Sequence, residues 1–104
     1  MTLIEKIVQD IENTPIILYM KGTKERPSCG FSARLVSLLN SHSVVYQGVN
    51  VLEDPEIRVE LSEHSNWPTI PQLFVKGDLI GGCDIVMEME SNGKLKDMLA
   101  EVGT

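Results

Sequence analysis

Apolar residues in this chain recur at two different periods, and the order in which the periods alternate predicts its architecture. Leu3, Ile4, Ile7, Val8 and Ile11 fall on one helical face with Glu5, Lys6, Asp10 and Glu12 opposite, and Asn13-Thr14-Pro15 closes that first helix. Ile16-Ile17-Leu18-Tyr19-Met20 is an unbroken apolar run rich in β-formers, the pattern of a central strand buried on both faces. After a polar loop over 21–28, Phe31, Leu35, Leu38 and Leu39 return to helical spacing and Asn40-Ser41 ends the segment. Residues 44–51 read as a second strand weakened by Gly48. Glu53-Asp54-Pro55 starts a helix with Ile57 and Leu61 inward.

The second half continues in the same way. Gln72-Leu73-Phe74-Val75 and Leu79-Ile80 flank Lys76-Gly77-Asp78, which predicts a β-hairpin. Gly81-Gly82 breaks the strand, Ile85, Val86 and Met89 begin a helix, and beyond Ser91-Asn92-Gly93 a last helix buries Leu95, Met98, Leu99 and Val102. The order α-β-α-β-α-β-β-α-α predicts an α/β fold. Its sheet is mixed and four-stranded: a β-α-β unit supplies a parallel pair, the hairpin adds antiparallel strands, and helices cover both faces.

Composition narrows the functional classes. A length of 104 residues, with 42% hydrophobic and 23% charged positions, suits one domain covering 1–104 with a real core. Nine basic against fifteen acidic residues leave a net charge of −6, which argues against general binding to nucleic acid or to an anionic membrane. No apolar run approaches the ~20 residues needed to span a bilayer, and the amphipathic N-terminus lacks a secretory pattern. Two cysteines are too few for a disulfide scaffold and suit a reducing compartment, so the cytoplasm is the expected location.

The candidate chemistry centres on Pro27-Ser28-Cys29-Gly30-Phe31-Ser32. Cys29 is expected at the first turn of a helix, where free backbone N–H groups and the helix dipole favour a thiolate, with Lys21, Lys24 and Arg26 upstream to add to the effect. The alternative is a small buried apolar residue. Ser32 stands where a redox dithiol carries its second cysteine, so a mixed disulfide at Cys29 must be resolved from outside or by Cys83. Gly82-Cys83-Asp84 reads either as a tight corner with a packed thiol or as a helix start able to hold a carboxylate, with Asp84 as its cap, as an acceptor for a ligand's ammonium group, or as both. In Trp67-Pro68-Thr69-Ile70-Pro71 two prolines make either a stiff connector or a cis peptide that presents the backbone of Ile70 to an extended peptide. Lys21 and Arg58, taken singly, read as solvated cations. His42 and His64 lack ligand spacing to either cysteine, so a closed metal site within one chain is not expected, whereas a site shared between subunits and completed by external thiols remains open.

Cys29-Gly30-Phe31-Ser32, Trp67-Pro68-Thr69-Ile70-Pro71-Gln72 and Gly81-Gly82-Cys83-Asp84, in that order, resemble the motifs of the CGFS-type monothiol glutaredoxins, and the likeness covers essentially the whole chain. It is nearest to the short single-domain bacterial members. The resemblance implies a thioredoxin fold and makes Cys29 a ligand of a [2Fe-2S] cluster held between two subunits. It also implies one non-covalently bound glutathione per subunit, whose sulfur supplies a further ligand. By the same resemblance Lys21 and Arg58 meet the glycine carboxylate of glutathione, the backbone of Ile70 pairs with its cysteine residue, and Cys83 and Asp84 hold its γ-glutamyl end. Ile70 stands where many relatives carry Phe, and the charged loop 23–26 differs from common versions.

Three functions are consistent with these readings. The first is a homodimeric cluster carrier that delivers [2Fe-2S] to acceptor proteins and pairs, by resemblance, with BolA-like proteins. The second is an oxidoreductase in which Cys29 removes glutathione from mixed disulfides. The third is a regulatory interaction module whose partner senses iron through the bound cluster.

Overall fold

The computed structural model describes residues 1–102. Its elements are α1 (Leu3–Asn13), β1 (Ile16–Met20), α2 (Gly30–Ser41), β2 (Gln47–Asn50), a 3-10 turn (Val51–Glu53), α3 (Pro55–Ser65), β3 (Gln72–Val75), β4 (Asp78–Gly81), α4 (Cys83–Ser91) and α5 (Lys94–Val102). The sheet runs β2-β1-β3-β4. β1 and β2 are parallel, and β3 is antiparallel to both β1 and β4. This is the mixed four-stranded sheet expected from the element order, in the thioredoxin fold that the resemblance implied.

The continuous apolar run of β1 is explained by its central place, because alternate side chains enter different cores. Ile16, Leu18 and Met20 pack with Leu35, Leu39, Val86, Leu95 and Leu99 under α2, α4 and α5. Ile17 and Tyr19 pack with Ile7, Ile11, Leu61 and Phe74 under α1 and α3. Local chemistry sets the helix starts. Thr2 caps α1 by accepting from the Glu5 N–H at 3.2 Å, and Asp54 caps α3 by accepting from the Glu56 N–H at 3.0 Å.

Two expected boundaries shift. The strand expected over 44–51 forms only at Gln47–Asn50, and its far end stops there because Val51 enters a 3-10 turn in which Asn50 Oδ1 accepts from the Leu52 N–H. Asp78 belongs to β4, so the hairpin turns on Lys76 and Gly77, both at positive φ.

The pairing also determines what meets at one end of the sheet. Tyr19 is opposite Gln72 and Leu73 is opposite Gly81, so the exit of β1, the entry to β3 and the exit of β4 lie side by side. The residues just beyond those strand ends, from Lys21, from Ile70-Pro71 and from Gly82, are thereby gathered from three distant parts of the chain.

Candidate functional site

A groove of about 600 Å³ opens at that end of the sheet, lined by Lys21, Cys29, Phe31, Arg58, Trp67, Thr69, Ile70, Pro71, Gly82, Cys83, Asp84 and Ile85. All six residues singled out from the sequence as candidate site positions, Lys21, Cys29, Arg58, Ile70, Cys83 and Asp84, therefore share one surface. Two of them are cations from different elements, Lys21 after β1 and Arg58 on α3.

One wall is the loop 21–28 together with the start of α2. Gly22 has φ of 89° and forms an isolated bridge with Pro27, while the Ser28 N–H donates to the Lys21 carbonyl at 2.9 Å. The loop is thus a small closed hairpin that brings Lys21 back beside Cys29. Cys29 is the N-cap of α2, with φ −148° and ψ 140°, one position before the first turn in which it was expected. Its thiol is held below the usual cysteine range, first by the Ser32 backbone N–H, which outweighs the opposing effect of burial, and then by the Phe31 N–H, the Ser32 hydroxyl and the Lys21 charge.

Of the three basic residues expected to favour the thiolate, only Lys21 does so. Lys24 is turned away, its Nζ donating to the Tyr46 carbonyl at 2.7 Å, and Arg26 is not among the groups acting on Cys29. Ser32 is more than a missing cysteine. It is fully buried, and its Oγ accepts the Lys21 N–H at 3.1 Å, tying the loop to the helix.

The facing wall is built from the entry to β3 and the start of α4. The Ile70-Pro71 peptide is cis. Gln72 is fully buried, and its Nε2 donates to the Trp67 and Thr69 carbonyls at 3.0 and 3.1 Å, bracing the segment that presents Ile70. Gly82, not Asp84, is the N-cap of α4, and Asp84 lies in the first turn, which corrects the capping role expected for it. Gly82 is also a close approach, since a Cβ there would lie 3.3 Å from Trp67 Nε1 and 3.4 Å from the Pro71 carbonyl. Cys83 is 7% exposed and packs in the core with Leu35 and Val86. Burial pushes its thiol up, with Asp84 and Cys29 adding to the rise and Arg34 opposing it.

The groove rim also includes apolar residues that helical periodicity does not single out as site residues. Phe31 shares the helical spacing of Leu35, Leu38 and Leu39, yet it is 59% exposed and forms part of the groove rim, as does Ile85 at 38%. Phe31 departs from the pattern because it lies in the first turn of α2, over the groove. Trp67 and Thr69, from the segment that leads to the cis peptide, complete the lining on that wall.

The glutaredoxin family profile matches residues 16–80. The chain is 51% identical over 104 residues to Glutaredoxin 4 of Haemophilus ducreyi, covering 100% of this chain and 97% of that one. It is 50% identical over 95 residues to a probable monothiol glutaredoxin 2 of Rickettsia felis, covering 91% of each. Among solved structures it is similar to a buckwheat glutaredoxin–glutathione complex, with a TM-score of 0.85, 30% identity, and coverage of 96% of this chain and 89% of that one.

Proposed function

This chain belongs to the glutaredoxin family, among its short monothiol members of bacterial type, and from that premise we propose that it is one glutaredoxin domain over 1–104 that carries [2Fe-2S] clusters as cargo with glutathione as co-ligand. The observation that carries the reading is the asymmetry of the two thiols on one groove. Cys29 is half-buried at the rim with a depressed pKa, suited to a soft metal, whereas Cys83 is buried and kept protonated. Each chain therefore offers one thiolate. Among the described residues no three His, Cys, Asp or Glu side chains are grouped to hold a metal ion, so further ligands must come from outside the chain.

The groove suits glutathione, an extended peptide with two carboxylates and one ammonium group. Lys21 and Arg58 supply charge for the glycine carboxylate, and the Ile70 backbone is available to the cysteinyl residue. The start of α4 at Gly82, Cys83 and Asp84 offers free N–H groups for the γ-glutamyl carboxylate and an acid for its ammonium. The glutathione bound in the similar buckwheat structure supports this assignment. Two chains, each contributing Cys29 and one glutathione thiolate, complete a thiolate set for the cluster. Cytoplasmic placement, a cluster-bound homodimer, and pairing with BolA-like and acceptor proteins belong to the same proposal. No described helix is long and apolar enough to cross a membrane.

Anaerobic reconstitution with iron, sulfide and glutathione is expected to yield a coloured dimer that reverts to a colourless monomer in Cys29→Ser. A colourless wild-type monomer under those conditions would overturn the carrier reading. The depressed Cys29 thiol also favours a second reading, removal of glutathione from mixed disulfides. Cys29-dependent turnover of a glutathionylated substrate, without cluster binding, would put that reading first.

A further inference from the structure

The loop 21–28 carries Lys21 and leads into Cys29, and its tip is fastened to Tyr46, the residue just ahead of β2, by one side chain that no part of the proposed chemistry uses. Lys24 Nζ donates to the Tyr46 carbonyl at 2.7 Å and lies 4.0 Å from the centroid of the Tyr46 ring. Tyr46 is itself 5% exposed, so the ammonium grips a rigid anchor.

The lysine stem crosses Gly48, where an added Cβ would lie 2.9 Å from Lys24 Cγ and 3.3 Å from Cδ. Gly48 lies on the edge strand β2, paired with Leu18 of β1, and is not among the positive-φ residues, so the backbone does not require glycine there. What the glycine provides is room for the lysine. A second tie, from the Gly22 N–H to Asn50 Oδ1 at 2.9 Å, fastens the base of the loop to the end of β2. The two attachments act at the tip and the base of a hairpin whose own bonds join Thr23 to Arg26 and Ser28 to Lys21.

We propose that Lys24 is a positioning residue: by bridging the loop tip to Tyr46 across the gap left by Gly48, it holds Lys21 and Cys29 together on the groove. Its effect on glutathione rests on the assignment of the groove made above, whereas its effect on the loop does not.

The test uses the full chain without cluster and reads hydrogen exchange at the Thr23, Arg26 and Ser28 amides. Lys24→Met, which keeps the stem and removes the ammonium, is expected to speed their exchange about tenfold while leaving α1 and α5 unchanged. Lys24→Arg should restore most of the protection. Gly48→Ala, acting from the β2 side, should reproduce the acceleration, and the double variant should be no faster than either single one. Unchanged exchange in Lys24→Met, or fully additive effects of Lys24→Met and Gly48→Ala, would overturn the proposal.

Glutathione titrated into the same proteins and followed at the Gly82 and Asp84 amides separates the two readings. Several-fold weaker binding in Lys24→Met supports positioning, and unchanged binding beside faster exchange overturns it. A wild-type protein that shows no response to glutathione removes the groove assignment, and the exchange data then decide the role of Lys24 alone.

Discussion

Cys29 and Cys83 stand at the starts of two helices, each next to a glycine, on facing walls of one groove, yet their thiols are shifted in opposite directions. The difference lies in register and burial. Cys29 is the cap residue itself, so its sulfur is in reach of the Phe31 and Ser32 N–H groups and of solvent. Cys83 comes one position later, behind Gly82, and turns into the core beside Val86. A helix N-terminus therefore does not by itself activate a thiol. It does so when the sulfur occupies the cap position and the charged form can be solvated.

The sharpest way to break this contrast is to deform one wall at a time. Gly22→Ala should cost about 3 kcal/mol or more, because the residue sits at positive φ, and its new Cβ would lie 2.5 Å from the Arg26 carbonyl and the Ser28 N. Gly82→Ala, with ordinary φ and contacts of 3.3 Å or more, should cost only about 1–2 kcal/mol. Denaturant midpoints of the two variants check the ranking, and equal losses would mean that the walls are equally rigid.

Next in size is Ser32→Ala, which leaves the Lys21 N–H without its partner and removes a hydroxyl that helps the Cys29 thiolate. A loss of about 1–3 kcal/mol is expected, together with an upward move in the pH at which Cys29 becomes reactive, read from alkylation rates in Ser32→Ala and wild type.

A smaller effect, by the same measurement, compares the cysteines directly. At neutral pH iodoacetamide should modify Cys29 on the order of tenfold or more faster than Cys83, as seen in Cys83→Ser and Cys29→Ser respectively. Similar rates would show that register and burial do not govern these thiols.

The subtlest test is stability against pH. Because the folded pKa of Cys29 is depressed, its thiolate stabilises the fold above the ordinary thiol value of about 8.5, and that contribution is lost as pH falls through the folded value. Cys83 is raised, so the folded state loses stability as pH climbs above about 8.5. Urea midpoints should accordingly show wild type gaining on Cys29→Ser with rising pH and losing on Cys83→Ser at alkaline pH. Parallel curves for the two variants would contradict the assignment.

What the amino-acid order determined by itself was the sequence of elements, the central place of β1, the hairpin around Gly77 and six of the residues that line the groove, Lys21, Cys29, Arg58, Ile70, Cys83 and Asp84. Those features depend on local periodicity, on glycine and proline stereochemistry, and on three motifs that carry a family resemblance. Tertiary structure decided the rest. It decided that Phe31 faces the groove, because its first-turn position lies over the groove whereas Leu35, Val36 and Leu39 pack in the core with the residues of β1. It gave the cap of α4 to Gly82 and left Asp84 free in the first turn. Of three nearby cations it left Lys21 to act on Cys29 and sent Lys24 to Tyr46. Electrostatic influence depends on the direction and distance of a side chain, and both are set by contacts that can lie 22 residues away, as between Lys24 and Tyr46.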